Sequence, residues 1–236
     1  MSSRKTTRAI LPVLACLLGS LLGGVAMPMK AQACSLALSL GLDTSSSVDA
    51  KEYRKQTDGL AAALVDPDVI ATILGSGGIY LTAFEWSGRT QHVLQLDWTW
   101  LNSEEAIRAA STRLRNSIRQ YIEFPTAIGY ALGFAAIHFQ QLPQSCLRRV
   151  VDISGDGVNN EGFSPVIAYR AFDYSDITVN GLVIKGSEPD PEPYYREKLV
   201  NGPGAFVEVA DNYDDFQRAM KRKLLREIRG GAVVMR

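Results

Sequence analysis

The sequence predicts an α/β protein: a three-layer sandwich with a mostly parallel central sheet, one antiparallel edge strand and helices on both faces. Three observations predict it. Strand and helix patterns alternate from residue 35 onward in a chain of 236 residues. The first strand pattern, 35–42, is apolar and free of charge, as a strand covered on both faces should be. One hairpin, turned at Ser87-Gly88, interrupts the alternation and supplies the antiparallel strand.

Composition narrows the class. With 46% hydrophobic and 21% charged residues, the chain is not disordered, collagen-like or a coiled coil. It is long enough for one domain with a substantial core. Lys+Arg 25 balance Asp+Glu 25, whereas a nucleic-acid binder would ordinarily show a basic excess. No Cys-x-x-Cys or His cluster points to zinc, and His92 and His138 lie in different contexts.

Residues 1–33 read as a secretory signal peptide. Arg4, Lys5 and Arg8 precede a charge-free, mostly apolar run over 9–27, and Ala31-Gln32-Ala33 gives a small-x-small cleavage pattern. The run is near the ~20 residues that span a bilayer, so length alone leaves a retained anchor open. A lipoprotein with Cys34 modified is the other alternative, although Ala31–Cys34 is a poor match to a leucine-led lipobox. The cleavage pattern favours export with removal, leaving 34–236 as one periplasmic or secreted domain. The leader holds Arg4, Lys5, Arg8 and Lys30 and no acid, so the mature protein carries a formal charge of −4. That balance favours neither polyanions nor an anionic membrane as partner.

The elements follow in order. After the 35–42 strand, small polar residues over 43–47 break the pattern. Asp49 then opens a helix, with Glu52 completing a capping box, and Asp66-Pro67-Asp68 reads as its stop. Residues 79–84 and 92–96 form the hairpin. Asn102 or Ser103 caps a helix with Ile107, Ala110, Leu114 and Ile118 on one face. A second long helix, small and apolar, runs over 126–142 and ends before Pro143; His138 on it reads as a core or rim histidine. Residues 147–153 are a strand, 165–172 a short helix and 177–184 another strand. A Gly-, Pro- and acid-rich loop covers 186–204, with a helical turn around 194–199. A last strand at 205–209 precedes an amphipathic helix over 213–228, with Phe216, Met220, Leu224 and Leu225 inward. Its acidic start and basic end (Lys221, Arg222, Lys223, Arg226) suit the helix dipole.

In such sheets ligands bind at the carboxyl ends of the strands. Directly after the first strand stands Asp43-Thr44-Ser45-Ser46-Ser47, where alternate residues of an extended turn can aim one carboxylate and two hydroxyls at a single point. Asp156 ends a second strand, and Thr126 offers another hydroxyl at a helix start. Each alone has a plain reading, as a turn or a helix cap. Together they bring hard oxygen donors from three segments to one edge, a set suited to Mg²⁺ (or Mn²⁺ or Ca²⁺) rather than a soft metal. Two carboxylates and three neutral hydroxyls under-ligate such an ion, so a position stays open for water or an outside carboxylate. Glu85 reads as an acid near that edge or a surface carboxylate, and Asp152 as a buried acid that hydrogen-bonds locally or pairs with a neighbouring Arg. Asn159 and Asn160 read as loop residues or as part of a rim.

These residues resemble a von Willebrand factor type A domain with a metal-ion-dependent adhesion site. Asp43-x-Ser45-x-Ser47, Thr126 and Asp156 match its three-segment pattern. Glu85-Trp86, Arg148 to Gly157 and Gly202-Pro203-Gly204-Ala205-Phe206 resemble a bacterial exported branch described as a domain of unknown function. Ser46 stands where many relatives have Gly, which removes no ligand. The resemblance implies a Rossmann-like, von Willebrand-type sandwich, with Ser45, Ser47 and Thr126 binding the cation and Asp43 and Asp156 binding it directly or through water. It also places the first strand beside the one ending at Asp156. Cys34 and Cys146 then both fall at the end of these adjacent parallel strands that lies away from Asp43 and Asp156, where a disulfide could join them. The implied function is non-enzymatic: capture of an acidic residue from a protein partner, with no nucleic-acid or membrane partner. The alternatives are a metal-dependent periplasmic hydrolase using the same acids and a structural domain with a vestigial metal site. Against the hydrolase, no His or Lys is placed in sequence as a convincing base.

Overall fold

A computed structural model describes residues 34–230. The leader expected over 1–33, with Cys16, lies outside them. Among the described residues six strands form one sheet: β1 (Ala37–Asp43), β2 (Ile79–Trp86), β3 (His92–Leu101), β4 (Arg149–Gly155), β5 (Ile177–Ile184) and β6 (Val207–Ala210). Their order is β3-β2-β1-β4-β5-β6. All neighbours are parallel except β2 and β3, the edge hairpin that the sequence predicts.

The strands alternate between two cores. On β1, Leu38, Leu40 and Leu42 face a cluster shared with α1 (Ala50–Leu64), α2 (Pro67–Gly75), α3 (Glu104–Arg115) and α7 (Phe216–Arg229). Ala37 faces the other cluster, built with α4 (Ile128–Phe139), α5 (Pro165–Ala171), and Tyr195 and Leu199 of the helical turn that follows α6 (Pro191–Tyr194). Each fully buried leucine contributes about 1.5–3 kcal/mol, so a one-residue slip of β1 would expose its whole apolar set. Gly41 lies on the second face, where a Cβ would stand 2.9 Å from Phe84 Cζ. A disulfide joins Cys34 and Cys146 just before β1 and β4, with Cα atoms 4.5 Å apart.

Local chemistry sets the boundaries. Asp49 caps α1 by accepting from Lys51 N and Glu52 N, and Glu52 returns the bond to Asp49 N. Asp66-Pro67-Asp68 does end α1, but it also begins α2, a helix the sequence reading lacks. Asp66 accepts from Asp68 N at 3.0 Å, and Pro67 fills the first helical position, where its missing N–H costs nothing. Ile118 is not on α3 as expected: the helix ends at Arg115, Ser117 Oγ donates to Leu114 O, and Ile118 is 73% exposed. The third strand runs five residues longer than expected, to Leu101. The helix expected over 126–142 is shorter at both ends, which leaves Thr126 on the loop before it.

Two charged residues depart further from the sequence reading. Lys223, read as part of a basic helix end, is fully buried against Asp152 and Glu227. Asp152 therefore pairs with a lysine from α7, not with an arginine near it in sequence.

Candidate metal centre

Because β1 and β4 are parallel neighbours with Leu42 opposite Ser154, Asp43 and Asp156 emerge side by side at one edge of the sheet. The turn after β1 folds back on its own aspartate, with Ser45 N donating to Asp43 Oδ1 at 2.7 Å. Arg119 clamps this turn from outside, with guanidinium nitrogens donating to Thr44 O, Ser45 O and Val48 O. From the other side Gln56 Nε2 donates to Asp43 O. Thr126 is held on its loop by Asn160, whose Oδ1 accepts from Thr126 N and whose N donates to Thr126 O. Asn159 Oδ1 accepts from Gly129 N in the first turn of α4. Asn160 thus positions Thr126, and Asn159 the helix start that follows it.

All five sequence-selected residues meet. Thr126 Oγ1 is 3.3 Å from Ser45 Oγ, Ser45 Oγ is 3.2 Å from Ser47 Oγ, and Ser47 Oγ donates to Asp156 Oδ1 at 2.9 Å. Oxygens at right angles around an ion with ~2.1 Å bonds lie ~3 Å apart, so this spacing fits the edges of one coordination shell. Among the described residues no group of three or more His, Cys, Asp or Glu could hold a metal. The candidate instead mixes two acids with three hydroxyls.

Asp43 is fully buried and its Oδ2 has no hydrogen-bond partner. Burial, then the nearby charge of Asp156, raises its pKa from 3.8 to about 7. An unpartnered carboxylate oxygen beside a second acid is the electrostatic signature of a place short of positive charge. Tyr195 OH, also buried and unpartnered, borders the same space. A Cβ at Gly155 would lie 2.7 Å from that hydroxyl and 2.8 Å from Asp43 Oδ2, so only glycine leaves room there. Outward, the cluster opens into a cleft of about 160 Å³ lined by Ser47, Thr126, Asp156 and Asn160, with Glu188 and Pro189 on its lip.

The remaining candidates sit elsewhere. Glu85 is not a surface carboxylate: it is buried, accepts from Tyr53 OH at 2.5 Å and from Gln120 N at 3.2 Å, and so anchors the segment that carries Arg119. His92 stacks on Phe134, and His138 is buried between Thr82 and Asp97. Sequence reasoning missed Arg119, Gln56 and Tyr195. Each is a lone polar residue with no local motif, and only the fold brings it to the site.

Comparison with solved structures defines the class. The chain matches a von Willebrand factor type A protein from Catenulispora acidiphila with TM-score 0.57 and 16% identity, over 83% of this chain and 43% of that one. It matches proximal thread matrix protein 1 from the mussel byssus, with a zinc-occupied MIDAS motif, at TM-score 0.58 and 17% identity over 83% and 46%. The conserved hypothetical protein BatB from Bacteroides thetaiotaomicron matches at TM-score 0.51 and 20% identity over 83% and 99%. The chain thus spans less than half the length of the first two. These likenesses show a von Willebrand factor A-like fold. The chain belongs to the family described as protein of unknown function (DUF1194), whose profile matches residues 33–232. No curated protein matches it.

Proposed function

We propose that this chain is an exported, metal-ion-dependent protein-binding domain, in which Asp43, Ser45, Ser47, Thr126 and Asp156 hold a divalent cation and a partner's carboxylate completes its shell. The observation that carries the reading is the unbroken chain of contacts from Thr126 Oγ1 through Ser45 and Ser47 to Asp156 Oδ1, drawn from three distant segments. When bound, the cation would supply a Lewis-acidic position open toward the cleft. The protein's part is to fix the donors. Arg119 and Gln56 hold the serine turn, Asn160 holds Thr126, and the adjacency of β1 and β4 aligns the two acids. Three neutral hydroxyls leave the ion's charge poorly neutralised, which favours an outside anion. Hard oxygens favour Mg²⁺, Mn²⁺ or Ca²⁺. Among the described residues no helix is long and apolar enough to cross a membrane, and the Cys34–Cys146 disulfide suits an oxidising compartment.

Calorimetric titration with Mg²⁺, Mn²⁺ and Ca²⁺ tests the site. Binding by the wild type that Asp43→Ala and Thr126→Ala each abolish or weaken at least tenfold is the expected result. Isotherms unchanged by both substitutions would remove the site.

A further inference from the structure

Midway along the same β4 strand lies a second cluster that the metal centre does not use. Lys223 Nζ, from α7, is 3.1 Å from Asp152 Oδ1 and 2.5 Å from Glu227 Oε1, and all three side chains are fully excluded from solvent. Val150, Leu182 and Leu224 belong to the apolar core on this side of the sheet, and the Phe206 ring lies 4.7 Å from Nζ. Asn180 fixes the far side: its Nδ2 donates to Glu227 Oε1 at 2.9 Å and its Oδ1 accepts from Phe206 N at 3.0 Å. This joins two stretches that the sequence singles out, the one around Asp152 and the Gly202–Phe206 turn.

As an ion-pair arrangement the cluster is poorly balanced. One ammonium faces two carboxylates, and both Asp152 oxygens and Glu227 Oε2 lack a hydrogen-bond partner. Taking three charges out of water for such incomplete pairing is costly. Burial pushes the Asp152 carboxyl up to about 7, toward its neutral form. A lysine nitrogen 3.1 Å from one buried carboxyl, with a second carboxyl 2.5 Å from the same nitrogen and all three side chains excluded from solvent, is the arrangement for amide formation.

We propose that Lys223 and Asp152 condense into an intramolecular isopeptide bond, with Glu227 as the proton-transferring acid–base. The Nζ lone pair attacks Asp152 Cγ and the N–Cγ bond forms. Glu227 takes the proton from nitrogen and delivers it to the Asp152 hydroxyl. The Cγ–O bond breaks and one water leaves. Nothing is oxidised or reduced and no co-reactant is needed. The fold supplies the proximity that makes a slow condensation accessible, and exclusion of water opposes the reverse hydrolysis. The product replaces a buried charge pair with a neutral amide and ties the closing helix covalently to the central strand, between the disulfide and the metal centre.

The test is mass spectrometry of the full chain, expressed with its own leader, purified folded, then denatured, reduced and digested with trypsin. The expected result is a branched peptide joining the Asp152 and Lys223 segments, lighter by one water than the two together, with no cleavage after Lys223. Glu227→Gln should lose the branched peptide while circular dichroism shows a folded protein, and Lys223→Met gives the linear reference. Recovery of Asp152 and Lys223 only in separate linear peptides of the folded wild type overturns the bond. Persistence of the branched peptide in Glu227→Gln overturns the role of Glu227.

Discussion

Replacing Asp43 by Asn should stabilise the metal-free protein while removing its metal affinity. The carboxyl is fully buried, and its pKa rises from 3.8 to about 7, first through burial and then through Asp156. Folding therefore binds a proton more tightly at Asp43. Stability from this group is present at low pH and is lost as pH climbs between those two values. At about pH 8 the ionised group costs the metal-free fold ~4 kcal/mol, at ~1.4 kcal/mol per pH unit. The substitution removes that cost and keeps the bond from Ser45 N, since an amide oxygen can still accept it. It leaves an amide N–H₂ where Oδ2 already lacks a partner, a penalty of about 1–3 kcal/mol. The net expectation is a gain of ~1–3 kcal/mol at about pH 8 that vanishes near pH 5, where the wild-type group is protonated. Urea denaturation in chelator at the two pH values measures it. Saturating Mg²⁺ should reverse the order by stabilising only the wild type. A variant less stable than the wild type in chelator at about pH 8 would refute the burial argument.

The same group makes Mg²⁺ binding pH-dependent: affinity should fall by up to ~10-fold per pH unit as the pH drops below about 7, with proton release on binding. Calorimetry in buffers of different ionisation enthalpy reads this directly, and a flat profile would contradict it. Gly155→Ala should cost about 1–3 kcal/mol in urea denaturation and weaken Mg²⁺ binding, because its Cβ would press on Tyr195 OH and Asp43 Oδ2. Breaking the disulfide with Cys146→Ser should lower stability by up to ~4–5 kcal/mol on a chain-entropy estimate, given the 112-residue separation it spans. An unchanged denaturation midpoint would show that the bridge adds nothing.

Which features could be read from sequence depended on whether their physics is local. The charge-free run of β1 announces a strand covered on both faces, and Asp49 with Glu52 announces a helix start, because neighbouring residues do the work. The candidate metal centre was legible for a related reason: Asp43 ends one strand and Asp156 follows its neighbour, a parallel sheet gathers such ends at one edge, and Thr126 stands just before a helix that starts at the same edge. The α2 helix was hidden because Pro67 serves equally to stop one helix and begin the next. Lys223 was misread because charge outweighed position. Phe216, Ala219, Met220, Lys223, Leu224, Glu227 and Ile228 form one stripe at three- and four-residue spacing, and all are buried. Periodicity alone would have placed Lys223 and Glu227 inside. Arg119 had no such signal, since the three carbonyls of the serine turn that it holds lie more than seventy residues away.

The chemistry of the molecule is concentrated on the seam between β1 and β4. The disulfide lies at its start, Asp152 faces the closing helix midway, and Asp43 and Asp156 close its far end. Adjacent parallel strands hold a common register, so fixing one end limits how far the other can slide. A one-residue slip would turn Asp152 away from Lys223 and send Leu38, Leu40 and Leu42 to the wrong face. It would also displace Asp43 from Asp156 by one strand step of ~3.3 Å, more than a coordination shell tolerates. The disulfide and the buried lysine contact therefore bear on the proposed metal centre through strand register rather than through any direct contact with its donors.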